Sequence, residues 1–381
     1  MRTGDDMPGG TVTRRGAFDD SGVASVRRRS AFRALASIRS GGCGAEATGP
    51  TRRLRAICEF AGSGSRPARA YNREAKKGER RRVGGALMFF DVYREPRSID
   101  ECIDDYARHA PDVVLLAGGT DLVPLFKDRK RRTKALINLM SVEGLSNTER
   151  DADGSLIIGA MTTLRALMDW DGLGGPLAGV RQGIGSVSSI QVRNVATLGG
   201  NSCHASPAAD TVPALIAADT QVTIAGPAGP RQAALEDFFL GPGKTVLETG
   251  ELLVEFRIPS QPPRTGSAYK KHAVRGNSDV AMVGVGVRLS LDDEGKAEHA
   301  RVVLGAVAPT AIRSENAENA LVGRVIDDGA IEEAAAMAAE DCSPITDVRA
   351  TARYRREMVR VMSGRAIAEA LARATGNGAG G

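Results

Sequence analysis

From Met88 onward the sequence predicts a chain of the α+β class, and three observations predict it. Short β-rich runs alternate with helical stretches as far as Pro259. After a Pro-rich, polar linker, strands come first and helices afterwards, an order that marks a separate α+β domain rather than a continued βαβ series. The 381 residues, 42% of them apolar, suffice for two or three packed domains.

The elements follow in order. Residues 98–109 read as a helix because Ile99, Cys102, Ile103 and Tyr106 recur at helical spacing. Residues 112–117 read as a buried strand running into Gly118-Gly119, and 122–127 as a short helix capped by Thr120 or Asp121. Strands are expected at 135–139 and 156–160, then a helix capped by Thr162 through Leu164 and Leu167, and a second helix at 177–184. A long loop containing residues 197–210 comes next, followed by a helix at 211–218 and strands at 221–225 and 252–258. From about Ser267 the final domain opens with alternating strands at 281–291 and 301–307 and turns helical at 313–321, 330–341 and 351–374, before a flexible, Gly-rich end.

The formal charge of +5 is unevenly placed. Residues 1–87 hold 19 Lys and Arg against 8 Asp and Glu, which leaves about −6 for the remainder. This Arg-, Ser-, Ala- and Gly-rich stretch shows no apolar periodicity and is expected to be disordered. It lacks the interleaved aromatics of a nucleic-acid-binding arm, and Arg14-Arg15 precedes no apolar export core. Because patterning begins abruptly at Met88, the alternative reading of this stretch is a start assigned upstream of the true one. No apolar run approaches the roughly 18 residues of a membrane span. The five cysteines form no Cys-x-x-Cys pair and the four histidines fall at no metal-ligand spacing, so no metal or iron–sulfur ligand set is expected, and a reducing cytoplasm fits.

Two glycine pairs carry the chemistry. Ala117-Gly118-Gly119-Thr120-Asp121 ends a strand, and Thr197-Leu198-Gly199-Gly200-Asn201 lies about 80 residues later. Consecutive glycines let backbone approach a ligand and aim successive N–H groups at phosphate oxygens, with a hydroxyl from Thr120 or Thr197 as a further donor. Either pair alone reads equally well as a turn; together they are suited to gripping a diphosphate from two sides. Neither is Gly-x-Gly-x-x-Gly, and no Gly-x-x-x-x-Gly-Lys-Ser/Thr occurs, so any dinucleotide is held in another way. Asp210, in Ser206-Pro207-Ala208-Ala209-Asp210, reads either as the N-cap of the next helix or as an acceptor for a ribose hydroxyl. Cys203 and His204 follow the second pair closely, but adjacency in sequence is poor evidence of a reactive pair. No independent catalytic motif is found.

The order AGGTDL, QVRNVATLGGN, ASPAAD resembles the FAD subunit of the molybdenum hydroxylase family, which includes xanthine and aerobic carbon monoxide dehydrogenases. The resemblance runs from about Met88 to Leu371 and includes Gly250-Glu251-Leu252-Leu253, Ala268-Tyr269-Lys270, Leu304-Gly305-Ala306-Val307 and Tyr354-Arg355-Arg356. It implies a para-cresol methylhydroxylase (vanillyl-alcohol oxidase) type FAD-binding fold over 88–260, in subdomains of about 88–140 and 141–260, and a C-terminal α+β carbon monoxide dehydrogenase flavoprotein-type domain over 267–374.

By the same resemblance the two glycine segments would hold the FAD diphosphate, Asp210 the ribose, and Leu253 and Lys270 would lie near the flavin. Read without it, Leu253 is core packing and Lys270 a solvated strand-edge lysine. The resemblance also implies an iron–sulfur small subunit with 2Fe-2S clusters, a large subunit with the molybdenum cofactor, a dimer of heterotrimers, and NAD or a quinone as electron acceptor. Cys203 stands alone where hydroxybenzoyl-CoA-reducing relatives carry a cysteine-rich insertion, and Thr120-Asp121 replaces the His-Ser of carbon monoxide enzymes. Neither substrate is favoured. The competing classes are a stand-alone flavin reductase of the same fold, such as the cell-wall precursor reductase, and a nucleic-acid binder using the basic tail. The matching C-terminal domain argues against the first, and nothing after residue 87 supports the second.

Overall fold

The computed structural model describes residues 89–276 and 278–376, so the expected disorder of 1–87 and most of the expected flexible end lie outside the described residues. The first elements are β1 (Val92–Arg94), α1 (Ile99–His109), β2 (Val113–Leu116), α2 (Leu122–Lys127) and β3 (Ala135–Asn138). α1 starts where Ser98 Oγ accepts the N–H of Glu101 at 3.1 Å, and Asp100 and Glu101 complement the helix dipole. The strands form a parallel sheet ordered β1-β3-β2.

Next come β4 (Thr148–Arg150), β5 (Leu156–Gly159), α3 (Leu164–Asp169), α4 (Ala178–Gly185), α5 (Ile190–Arg193), α6 (Leu198–Cys203) and α7 (Val212–Ala217). They are followed by β6 (Gln221–Ala225), β7 (Arg231–Ala234), the hairpin strands β8 (Phe239–Gly241) and β9 (Lys244–Thr245), and β10 (Leu252–Ile258). An antiparallel sheet is ordered β4-β5-β10-β6-β7, so the last strand made sits at its centre. Leu252 and Val254 of β10 pack with Val113, Ile137 and Met161, while Leu253, Phe256 and Ile258 pack with Leu156, Ile158 and Phe238. A register shift between Leu253 and Glu255 permits this change of phase: the extra residue of a bulge moves the later side chains to the other face.

The remaining elements are β11 (Thr265–His272), β12 (Val283–Leu291), β13 (Ala297–Gly305), β14 (Ile312–Arg313), α8 (Glu315–Leu321), α9 (Asp328–Asp341) and α10 (Ala352–Ala374). The strands form an antiparallel meander. β12 alternates in sequence, yet all nine of its residues are buried. Its Val283, Val285, Val287 and Leu289 row joins the core shared with α9 and α10. On the other row, a Cβ at Gly286 would stand 2.6 Å from the Pro213 carbonyl group, so α7 lies directly against backbone there.

Several expectations need correction. Thr163, not Thr162, caps α3, its hydroxyl accepting the N–H of Ala166 at 3.1 Å. Neither Thr120 nor Asp121 caps α2 through its side chain; Thr120 Oγ1 lies 3.3 Å from the Asp121 carboxylate instead. The expected long loop contains α5 and α6, because tertiary contacts outweigh the poor helix propensity of Gly199-Gly200. Strands β1, β4, β7, β8, β9, β11 and β14 are additional to those expected, β14 taking Arg313 where a helix was expected to begin; short, polar edge strands such as β4 and β7 carry little apolar periodicity.

Candidate functional site

β2 delivers Ala117 to the first glycine turn. A Cβ on Gly118 would lie 2.0 Å from the Val195 carbonyl oxygen, so only glycine allows this turn to meet the backbone that leads into α6. Gly119 follows with φ +72°, and its carbonyl accepts the Val123 N–H at 2.9 Å, which turns the chain into α2. The N–H groups of Gly119, Thr120 and Asp121 donate to no protein acceptor among the described residues.

The second pair is built differently. Thr197 is the N-cap of α6, accepting the Gly200 N–H on Oγ1 at 3.0 Å. The Leu198 N–H goes to Thr162 O at 3.1 Å and the Gly199 N–H to Ala160 O at 2.8 Å. A Cβ at Gly199 would come within 2.7 Å of Ala160, so this glycine seats α6 on the end of β5. Unengaged backbone N–H groups are therefore found in the first segment, whereas in the second the N–H groups of Leu198, Gly199, Gly200 and Asn201 are already bonded.

Between the two segments lies a cleft of about 680 Å³, within the range of small-molecule and cofactor sites. Ala117, Gly118, Gly119, Thr120, Asp121, Thr197, Gly199, Gly200, Asn201 and Leu253 all line it. Leu253 also belongs to the core beneath, so both readings of that residue hold. Three other expected residues are not in the lining. Leu198 is fully buried in the core. Lys270, on the edge strand β11, is ion-paired with Glu369 of α10 and is not simply solvated.

Asp210 is not an N-cap, because Thr211 takes that position at α7. Asp210 is 7% exposed, and its carboxylate accepts the Tyr269 hydroxyl at 2.8 Å and the Lys271 ammonium at 2.7 Å. Burial pushes the Asp210 carboxyl above the usual carboxylate range, and the Lys271 charge opposes that shift. Burial and the neighbouring Asp210 raise the Tyr269 phenol well above 10. Gln182 of α4 completes the junction, its amide oxygen accepting the Tyr269 N–H at 2.8 Å.

Other lining residues went unnoticed in the sequence. Leu139, Leu145, Met161 and Leu247 form apolar walls, and no motif announces them. Glu251 lines the cleft while held by Arg231, Nε to Oε1 and Nη2 to Oε2, both at 2.7 Å. Arg131 did have a signal, the cation-rich run at 127–134, which the larger charge of residues 1–87 overshadowed. Cys203 and His204 both border the cleft, with no hydrogen bond between them. Among the described residues no group of His, Cys, Asp and Glu could hold a metal ion, and no helix is long and apolar enough to cross a membrane.

Unengaged N–H groups of the first segment and the glycine backbone of the second line the same cleft beside apolar side chains, a lining that suits a ligand with both anionic and apolar parts. Comparison with known proteins points the same way. Residues 87–261 match the family described as the FAD binding domain in molybdopterin dehydrogenase, and residues 267–370 match the CO dehydrogenase flavoprotein C-terminal domain. The chain is 33% identical over 294 residues to the xanthine dehydrogenase FAD-binding subunit of Escherichia coli O157:H7, covering 76% of this chain and 99% of the relative. It is 34% identical over 285 residues to the carbon monoxide dehydrogenase medium chain of Afipia carboxidovorans, covering 75% and 98%. A solved chain of carbon monoxide dehydrogenase from Hydrogenophaga pseudoflava superposes with a TM-score of 0.71 at 33% identity, covering 74% of this chain and 97% of that one.

Proposed function

Since the chain belongs to the FAD-binding subunits of molybdenum hydroxylase-type dehydrogenases, we propose that its cleft holds FAD and that it is the subunit through which electrons leave such a complex. Its partners in this reading are an iron–sulfur small subunit with 2Fe-2S clusters and a molybdopterin-bearing large subunit, assembled as a dimer of heterotrimers in the cytoplasm. The acceptor is NAD or a quinone, and no nucleic acid takes part. Relatives named as a medium chain or as one subunit of a dehydrogenase complex support the assembly. The free thiols Cys102, Cys203 and Cys342 suit a reducing compartment.

The observation that carries the cofactor assignment is the contact of Gly118 with the Val195 carbonyl, which makes one two-sided cleft from segments distant in sequence. In this reading the N–H groups of Gly119, Thr120 and Asp121 bind the diphosphate, and the Thr197 hydroxyl faces it from the start of α6. Gly199 and Gly200 keep side chains out of the cleft, and Ala117 and Asn201 border it. Leu253 and Met161 cover a ring and exclude water. Leu198, Asp210 and Lys270 act behind the cleft, fixing α6 and β11. Bound FAD supplies exchange between one-electron and two-electron transfer, a property of the cofactor that the protein positions and tunes.

The test is an absorption spectrum of the purified full chain, with release and identification of the chromophore, for wild type and Gly200→Val. Gly200 has Thr197 Oγ1 and the Ala117 Cβ as its nearest neighbours, so the added side chain enters the cleft with little backbone conflict. Bound FAD near one per chain, lost in a variant with an unchanged circular dichroism spectrum, supports the reading. A folded wild-type chain that takes up no FAD, alone or co-purified with its partners, overturns it.

A further inference from the structure

The segment from Lys127 to Lys134 contains Lys127, Arg129, Lys130, Arg131, Arg132 and Lys134 against a single acid, Asp128. It joins α2 to β3, and all six cations are exposed. Residues 88–381 carry a net charge of about −6, so this run is a local reversal of sign. Of the six, Arg131 alone lines the cleft. The chain beyond α2 folds back to place it there: the Lys130 and Arg131 N–H groups both donate to Leu125 O, at 2.9 and 3.3 Å.

The charges already in the cleft make a cation there consequential. Asp121 presents an exposed carboxylate beside the glycine turn, and Glu251 is neutralised by Arg231. Arg131 has no carboxylate within ion-pair distance among the described residues, whereas Lys130 beside it is paired with Asp128 at 3.2 Å. A diphosphate brought next to Asp121 meets like charge, and backbone N–H groups alone offset it only partly. A guanidinium offers a permanent charge and paired donors matched to phosphate oxygens.

We propose that Arg131 is the phosphate-binding cation of the cleft, neutralising the diphosphate of FAD and setting the preference for FAD over flavins with fewer phosphates. This rests on the reading of the cleft as the FAD site. The remaining cations of the segment raise the local potential and are screened by salt.

The full chain, freed of flavin, is titrated with FAD and with riboflavin, which has the ring but no phosphate, for wild type, Arg131→Gln, Arg131→Lys and Arg132→Gln. Arg132 is the exposed neighbour outside the lining. The expected result is an FAD Kd raised about tenfold in Arg131→Gln, in keeping with loss of a charge-assisted hydrogen bond. Arg131→Lys recovers most of that affinity, Arg132→Gln matches wild type, and riboflavin binding is the same in all four. Equal FAD affinity in wild type and Arg131→Gln overturns the proposal and leaves the FAD site standing. An equal loss in Arg131→Gln and Arg132→Gln also overturns it, because the field of the whole segment is then the cause. A wild-type chain that binds no FAD defeats the underlying reading as well.

Discussion

Lys271 Nζ lies 2.7 Å from Asp210 Oδ2, and the pair bridges β11 to the chain just ahead of α7. The side chains keep only 13% and 8% of their surface exposed, so each charge depends on the other. Replacing Lys271 with Met strands a buried carboxylate and is expected to lower stability by about 3 kcal/mol in denaturant titration. The sign with pH follows from the carboxyl. Its folded pKa is already raised by burial and rises further without the ammonium, so the protonated form is the one the fold tolerates. The deficit therefore shrinks as pH falls and grows as pH rises through the folded pKa. Adding Asp210→Asn restores part of the loss; no recovery would show that the pair is not the cause.

Gly118→Ala is the smallest change that separates the two glycine segments, because its Cβ falls on the Val195 carbonyl. Backbone on both sides has no easy escape, and a cost of about 1–3 kcal/mol is expected. Flavin content should fall more steeply than thermal stability. A variant with wild-type Tm and full flavin content would refute the contact.

Arg355, buried at the start of α10, donates to Met282 O at 2.8 Å and Ala306 O at 3.2 Å, and its charge is met by Asp347 at 2.8 Å. The Arg349 N–H first, and the Arg355 guanidinium with it, hold the Asp347 carboxyl well below the usual carboxylate range. Stability from this depressed pKa is fully present above the unfolded value, about 3.9, and is lost as pH falls toward the folded one. Asp347→Asn should therefore lower Tm at neutral pH, with the difference from wild type closing below about pH 4. A constant difference across that range would assign the effect to packing instead.

Among the described residues, every one that lines the cleft lies between Val114 and Leu253. A chain beginning at Met88 is therefore expected to bind FAD with the affinity of the full chain at moderate salt. Loss of flavin from that shorter chain, with its fold intact by circular dichroism, would assign residues 1–87 a part in binding.

Much of this protein was legible in its sequence, for identifiable reasons. Alternation and helical spacing located β2, β5, β6, β10, α1, α9 and α10 to within a few residues, because each buries one apolar stripe or run. The paired glycines were visible as chemistry because consecutive residues without side chains are rarely needed except where backbone must come close. Their order with ASPAAD pointed to the family, and the basic run at 127–134 was equally there to be read.

What only the tertiary structure decided depends on which segments meet. That Gly118 touches Val195, and that the N–H groups of Leu198 and Gly199 are taken by Thr162 and Ala160, follows from the residues after β2 and after β5 both meeting the stretch that leads into α6. The bulge in β10 turns one strand toward two cores, and burial of both faces of β12 reflects α7 on one side and α9 and α10 on the other. Asp210 looked like a cap or a ligand residue until its partners, 59 and 61 residues away, came into view. Local sequence specifies propensity and period over a few residues, whereas a partner dozens of residues distant is selected by the packing of whole sheets and helices.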